Sequence, residues 1–373
     1  MKYNRKTHSI ITVILFIFIC VKYQNIKPPS TEVKVSVSPP RLRDNSMNET
    51  MEERYKKLRS RIKEVCQKYN KTKELSNAEV DALKKQQISS PQNTVMDMVS
   101  KLAYCQIPKV GTSTWMEHFR KLLSPELQKI TKHWSKRSII QSSFKIPVDL
   151  LKNISTLPEN QQHSFVNTFN KFLKENDILS FAIVRHPFER LVSFYRSDIG
   201  RSPKVGAASA KLLGLTKWYN TGHTFPAFID LVLKQYRDDK CYGLYSYPCF
   251  GVNPHWTPFH SLCLFCDVEY YVVGRLETFS EDVKYIFKKS NLTKLENDYA
   301  KVLHSSNKNQ FKLESKSKKK KEVQRYFSYL TKKQVYGLYQ MYRMDFEMFN
   351  YDANTYLDMA NISNMSQTDI GEQ

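Results

Sequence analysis

The stretch "YCQIPKVGTSTW" (residues 104–115) decides how the middle of this chain folds. A short apolar run ends at Pro108 and Lys109, a glycine and three hydroxyl residues follow, and Trp115 begins an amphipathic segment. This is the layout of a buried strand, a turn that can hold a phosphate and the N-terminus of a helix. The Walker A pattern is absent, because Lys109 precedes the glycine instead of following it. The stretch therefore predicts an anion site of another kind.

A second stretch, "AIVRHPFERLVSFYRS" (residues 182–197), has a similar layout. Arg185 stands where a buried strand ends, and Pro187 suits the first position of a helix. The apolar residues of that helix recur at helical spacing, which places Ser193 roughly 150° away from the apolar face. An arginine fork binds phosphate bidentately. The alternative is a capped amphipathic helix that begins with a salt-bridged arginine.

Strand-like and helix-like segments alternate from about residue 98. The strand-like segments are residues 102–108, 178–184 and 269–279, and the helix-like ones are 115–123, 281–290 and 326–352, with another that begins at Pro187. Such alternation predicts an α/β sheet that is mostly parallel. Ligands of open α/β sheets bind at the carboxyl ends of the strands. Both anion sites are therefore expected at one edge, where they suit a ligand with two separated phosphate-type groups.

The chain is strongly basic and carries an apolar N-terminal run. Its 58 Lys and Arg outnumber its 36 Asp and Glu, for a net charge of +22, which predicts a polyanionic partner. Residues 9–23 are almost entirely apolar and follow Lys2, Arg5 and Lys6. No small-residue cleavage site follows, so we expect an uncleaved signal anchor with the body of the chain in the secretory lumen. That location disfavours nucleic acid and favours an acidic glycan.

The cysteines and glycosylation sequons agree with a lumenal body. Six N-x-[ST] sequons occur, at Asn48, Asn70, Asn153, Asn291, Asn361 and Asn364. Outside the apolar run there are six cysteines: Cys66, Cys105, Cys241, Cys249, Cys263 and Cys266. Cys263 and Cys266 form a C-x-x-C pair that could hold zinc together with Cys241 and Cys249, but an oxidising lumen favours disulfides. Their pairing is left open by the sequence.

The two anion loops resemble the 5′-phosphosulfate loop and the 3′-phosphate motif of Golgi carbohydrate sulfotransferases, and the subgroup that sulfates chondroitin and dermatan is the most similar. The resemblance extends to residues 253–279 and 342–352 and includes the membrane anchor. It implies a P-loop-like α/β fold and 3′-phosphoadenosine 5′-phosphosulfate as the donor. The residues it implies as donor contacts are Pro108, Lys109, Val110, Gly111, Thr112, Ser113 and Thr114 of the first loop, and Arg185, His186, Pro187, Phe188, Glu189, Arg190, Leu191, Val192 and Ser193 of the second.

This organisation predicts six regions. They are a cytosolic tail (1–8), a signal-anchor transmembrane helix (9–23), a flexible stem (24–50), a helical neck (51–97), a lumenal sulfotransferase domain (98–358) and a disordered tail (359–373). Residues 305–321, which end in "KSKKKK", are expected to form an exposed basic loop that is either solvated or in contact with the glycan. The chain departs from the family pattern in this basic insertion, at His186, where Asp is usual, and at Phe265, where Pro is usual.

Sulfuryl transfer resembles phosphoryl transfer, in which charge develops on the bridging oxygen of the leaving group. We expect Lys109 to neutralise that oxygen and Thr112 and Ser113 to orient the sulfonate, with no metal ion required. A base near neutrality favours histidine, and His255 in "NPHW" is the first choice. The alternatives are His118, His133 and His186, followed by Glu117 and Glu189. The expected acceptor is an acidic glycosaminoglycan, modified at the 4-position of N-acetylgalactosamine; the rival interpretation is a lumenal glycan-binding protein without turnover.

Overall fold

A four-stranded sheet organises the chain, with strand order β1-β2-β3-β4. The strands are β1 (Thr94–Asp97), β2 (Leu102–Cys105), β3 (Leu179–Val184) and β4 (Val272–Arg275). The computed structural model describes residues 49–69, 94–130, 163–212, 215–238, 253–304 and 321–360. The anchor, most of the stem, all but one residue of the basic loop, most of the C-terminal tail, His133, Cys241 and Cys249 lie outside these residues.

The three predicted strands are confirmed as β2, β3 and β4, which pair in parallel. Most of their residues are apolar and buried on both faces, as in parallel sheets covered by helices. The structure adds β1, which pairs antiparallel with β2 through the turn at residues 98–101. Residues 94–97 therefore belong to the sheet, whereas the helical neck was expected to reach residue 97. A strand of four residues is too short for its pattern to distinguish it from a helix.

Helices precede, connect and follow the strands along the chain. They are α1 (Met51–Lys68), α2 (Thr112–Leu122), α3 (Pro125–Ile130), α4 (His163–Glu175), α5 (Pro187–Phe194), α6 (Pro203–Leu212), α7 (Thr216–Thr221), α8 (Phe225–Asp238), α9 (Phe259–Leu262), α10 (Phe279–Lys289), α11 (Thr293–His304), α12 (321–327), α13 (Lys332–Met348) and α14 (Asn354–Met359). A π-helix (Tyr195–Ile199) continues α5, and a 3₁₀ turn (Leu276–Thr278) precedes α10.

Helix α1 packs one apolar stripe on the body, with Tyr55, Leu58 and Ile62 buried. A disulfide between Cys66 and Cys266 attaches the end of this helix to the segment before β4. A second disulfide joins Cys105, the last residue of β2, to Cys263. The C-x-x-C cysteines thus form two separate disulfides, which confirms that disulfides were the better interpretation than zinc.

The register of the sheet brings the two predicted anion loops together. Cys105 of β2 pairs with Ala182 of β3, so both strands leave the sheet at the same edge. The first loop then leads into α2 and the second into α5. Within the described ranges, each helix is too short or too polar to cross a bilayer.

Candidate functional site

The first loop has an unusual backbone that turns the chain sharply before α2. Lys109 and Gly111 both adopt positive φ angles, 71° and 91°. A Cβ on Gly111 would lie 2.8 Å from the ring of Phe279, so glycine is required for close packing as well as for the turn. No side chain caps α2 at this end. The first N–H groups of the helix are therefore not bonded to a capping side chain and can bind an anion.

The hydroxyl side chains of this loop divide into two kinds. Thr112 donates its hydroxyl proton to the carbonyl of Ile107 and accepts from the hydroxyl of Tyr104 at 3.3 Å. Its side chain therefore stabilises the loop, and its hydroxyl hydrogen is not available to a sulfonate. Ser113 and Thr114 are exposed and remain able to meet a ligand. Val110 is buried in the core.

Lys109 extends across the edge toward the π-helix. Its ammonium group lies 2.7 Å from Oδ2 of Asp198, donates to Oγ of Ser197, and is 5.9 Å from the ring centroid of Phe194. The sequence analysis did not identify Asp198 or Ser197. A π-helix accommodates an extra residue in a helical turn, so helical spacing alone would place these side chains elsewhere.

Arg185 lies beside the first loop, as the parallel strands predict. Its Nη1 donates to the carbonyl of Lys109 at 3.4 Å, and its Nη2 pairs with Glu189 at 3.3 Å. The Nε atom is buried and has no hydrogen-bond partner in the part of the chain that the structure describes. A buried donor without a partner is costly, so this arginine is suited to an additional anionic ligand. Ser193 is half-buried.

Most of the other predicted donor contacts in the second motif point into the core. The side chains of Pro187, Phe188, Leu191 and Val192 are buried and hold α5 against the sheet. His186 is also buried; its Nδ1 accepts from the backbone N–H of Phe188 at 3.2 Å and its Nε2 donates to the carbonyl of Asp352 at 3.0 Å. The histidine is thus the N-cap of α5, a position that commonly has Asp. Burial lowers the pKa of His186 to about 4.

Arg190 differs from Arg185, because its side chain is completely buried. Its guanidinium donates to three backbone carbonyls: Nε to Pro108 at 3.1 Å, Nη1 to Thr257 at 2.7 Å and Nη2 to Pro254 at 2.5 Å. Burial lowers the pKa of this arginine to about 10. All three nitrogens of the guanidinium are thus bonded to backbone carbonyls in the core, whereas the resemblance implied a contact with the donor.

His255 lies close to the same edge as Lys109. Its ring is 4.8 Å from that of Phe194, the ring that Lys109 also contacts. Its Nδ1 lies 2.8 Å from Oδ1 of Asn253. Since an amide oxygen accepts, this contact places the proton on Nδ1 and makes Nε2 the basic nitrogen. Asn253 was not identified from the sequence, although it lies two residues before the histidine.

The other candidate bases lie in unsuitable surroundings or outside the described residues. His118 is buried on α2 among the rings of Trp115, Phe287 and Tyr299, and burial lowers its pKa to about 4. Glu117 pairs with Arg120 one helical turn further on, at 3.1 Å. Among the described residues, no three His, Cys, Asp or Glu side chains lie close enough together to hold a metal ion.

Comparisons with known proteins identify a family and several relatives of this chain. Residues 92–352 match the sulfotransferase family, which is more than half of the chain. A zebrafish protein named carbohydrate sulfotransferase 11 is 25% identical over 284 residues, which cover 73% of this chain and 70% of the relative. Zebrafish carbohydrate sulfotransferase 10 is 27% identical over 69% of this chain and 66% of its own. Human carbohydrate sulfotransferase 9 is 24% identical, covering 83% and 62%. No solved structure is significantly similar.

Proposed function

Because the chain belongs to the sulfotransferase family, we propose that it transfers a sulfuryl group from 3′-phosphoadenosine 5′-phosphosulfate to a carbohydrate hydroxyl. The observation that carries this proposal is the pairing of two cationic loops at the ends of adjacent parallel strands. Lys109 and Arg185 are joined there by a hydrogen bond between the Arg185 side chain and the Lys109 carbonyl. The buried Nε of Arg185, which has no partner within the described ranges, fits an anionic group at this place.

The residues at the edge fit the two ends of such a donor. The N-terminus of α2, with Ser113 and Thr114, would hold the 5′-phosphosulfate end. Arg185 and Ser193 would hold the 3′-phosphate, with the pairing between Arg185 and Glu189 giving way to the ligand. When bound, the donor supplies a sulfuryl group whose bond to the bridging phosphate oxygen breaks as the bond to the acceptor oxygen forms.

Two side chains would then stabilise the leaving oxygen and take the proton of the acceptor hydroxyl. The ammonium group of Lys109 would leave Asp198 and neutralise the negative charge that develops on the bridging oxygen. Nε2 of His255 would accept the proton of the acceptor hydroxyl, while Asn253 holds the other ring nitrogen. Both side chains lie against the ring of Phe194, so this ring would stand between the bound donor and the bound acceptor.

For the acceptor we propose an acidic glycosaminoglycan, with the 4-position of N-acetylgalactosamine in chondroitin as the modified hydroxyl. The excess of 22 positive charges and the resemblance of residues 253–279 support this class of acceptor. We further propose a type II protein of the Golgi membrane, anchored by residues 9–23, with residues 98–358 in the lumen. The two disulfides support an oxidising compartment.

The test uses the full-length chain in microsomes from secretory cells, with ³⁵S-labelled donor and a panel of desulfated glycosaminoglycans. We expect label on chondroitin, and 4-sulfated disaccharides after its enzymatic digestion. Label at another position would refute the 4-position and leave sulfuryl transfer in place. Binding of 3′-phosphoadenosine 5′-phosphate without label on any acceptor would refute the enzyme and favour a glycan-binding protein.

A further inference from the structure

Arg190 connects the two halves of the candidate site through a single buried guanidinium. One of its three carbonyl contacts is Pro108, the residue before Lys109. The other two are Pro254 and Thr257, which flank His255 in the chain. The loop with the candidate leaving-group cation and the loop with the candidate base are thus both bonded to the same planar group.

The remaining surroundings of Arg190 keep that group fixed. Its guanidinium carbon lies 4.8 Å above the ring of Phe259, and its side chain is 0% exposed. Buried Asp345 holds the other side of the same segment, since its carboxylate accepts from the backbone N–H groups of Phe259 and His260 at 2.7 and 2.9 Å. Asp345 therefore ties the residues after His255 to α13, whereas Arg190 ties the His255 segment to the Lys109 loop.

We propose that Arg190 is a positioning residue, which sets the distance between Lys109 and His255 and so couples donor binding to proton removal from the acceptor. This inference rests on the proposed sulfuryl transfer. A displacement of about 1 Å between reacting groups can reduce turnover about 100-fold. A lysine at this position would keep the charge but could not direct three N–H groups toward three carbonyls.

The first test is the variant Arg190→Lys, measured by turnover and by affinity for 3′-phosphoadenosine 5′-phosphate. We expect a fall in kcat of about 30- to 100-fold, with the dissociation constant of the bisphosphate changed less than about 3-fold. The matched control is Arg61→Lys. Arg61 lies on α1 and is half-buried. Like Arg190, it has its pKa lowered by burial and donates to a backbone carbonyl, that of Glu347, at 2.5 Å. Its variant should lose stability and keep kcat.

The second test compares Arg190→Lys in the wild-type and the His255→Ala backgrounds. If Arg190 acts by positioning His255, the substitution should reduce kcat far less once the histidine is absent. Equal reductions in both backgrounds, or an equal loss of bisphosphate affinity and kcat, would overturn the proposal. Should Arg190→Lys not fold, Arg190→Gln replaces it with two N–H donors and no charge, and the same measurements apply. Absence of transfer by the wild-type chain would refute the proposed function itself.

Discussion

The loop after β2 keeps its polar side chains exposed or half-buried, whereas the segment after β3 buries two of its own in the core. Ser113 and Thr114 of the first loop are exposed, while His186 and Arg190 of the second are buried. Both segments have the composition of an anion site, yet only Arg185, Glu189 and Ser193 of the second are near enough to the surface to meet a ligand. The second motif, whose sequence indicates an anion site, therefore contains some residues that can bind a ligand and others that stabilise the site.

The largest effect that this comparison predicts is at Lys109. The variant Lys109→Ala should reduce sulfuryl transfer by about 100- to 1,000-fold, because a preorganised cation at the leaving oxygen contributes several kcal/mol. The control is Lys174→Ala, which removes an exposed lysine of α4. Turnover would be measured with labelled donor and desulfated chondroitin, and folding by thermal unfolding. Activity retained in folded Lys109→Ala would refute the role given to this residue.

A smaller effect is expected at Arg185, which represents the ligand-facing part of the second segment. Arg185→Ala should weaken binding of 3′-phosphoadenosine 5′-phosphate about 30-fold, since charge-assisted hydrogen bonds contribute about 2 kcal/mol. Glu189→Gln should bind at least as tightly as the wild type, because it removes the carboxylate that now pairs with the arginine.

Titration calorimetry measures the binding of 3′-phosphoadenosine 5′-phosphate by Arg185→Ala and by Glu189→Gln. Arg120→Ala is the matched control, since Arg120 is also a half-buried arginine that pairs with a carboxylate of its own helix. Weaker binding by Glu189→Gln would mean that Glu189 itself contacts the ligand, and the second segment would then bind through more residues than its burial indicates.

The sheet edge could be predicted from the sequence because local signals agree there. Each of the runs at 102–108 and 178–184 is largely apolar and is followed first by a cation and then by the start of a helix. Together these signals predict the strand, the turn after it and the parallel pairing of the two strands. The strand at 94–97 and the disulfide pairings could not be predicted. Four residues are too few for their pattern to distinguish a strand from a helix. The disulfides join residues 200 and 158 positions apart, which no local pattern encodes.

Arg190 illustrates why the sequence predicted only part of the candidate site. The resemblance implied Arg190 as a donor contact, and its helical phase lies roughly 150° from the centre of the sheet-facing stripe of α5. In the structure the segment at 254–259 packs over this side of the helix and buries the guanidinium. Likewise, the contact between Lys109 and Asp198 depends on a π-helix that sequence spacing does not reveal.

Two buried histidines, His118 on α2 and His186 at the N-cap of α5, extend the comparison to stability. His118 has no hydrogen-bond partner among the described residues, and burial lowers its pKa to about 4. Since the ordinary pKa is about 6.5, the unfolded chain binds a proton first as the pH falls. The contribution of neutral His118 to the free energy of unfolding is fully present above about pH 6.5 and decreases toward pH 4. By pH 5 the free energy of unfolding has fallen by about 2 kcal/mol.

The variant His118→Phe should therefore be less sensitive to acid than the wild type. Between pH 7.5 and pH 5, its free energy of unfolding should fall by about 2 kcal/mol less, as measured by urea denaturation at the two values. Sulfuryl transfer at pH 7 should persist, because a ring of similar shape fills the site between Trp115 and Phe287. An identical pH dependence in both chains would show that His118 is not the titrating group, and lost transfer in a folded variant would restore it as a candidate base.

His186, in contrast, has partners for both ring nitrogens, and the smallest effect is expected there. His186→Ala should cost about 1 kcal/mol more than His186→Asn, because asparagine can still accept from the N–H of Phe188 at the N-cap. Neither variant should change kcat, since the ring packs against Phe346, Tyr351 and Tyr356 and does not face the edge. If asparagine destabilises as much as alanine, the packing of the ring and not the cap is what this histidine contributes. If either variant lowers kcat while the fold stays intact, the buried half of the second segment takes part in catalysis, and the division between the two loops does not hold.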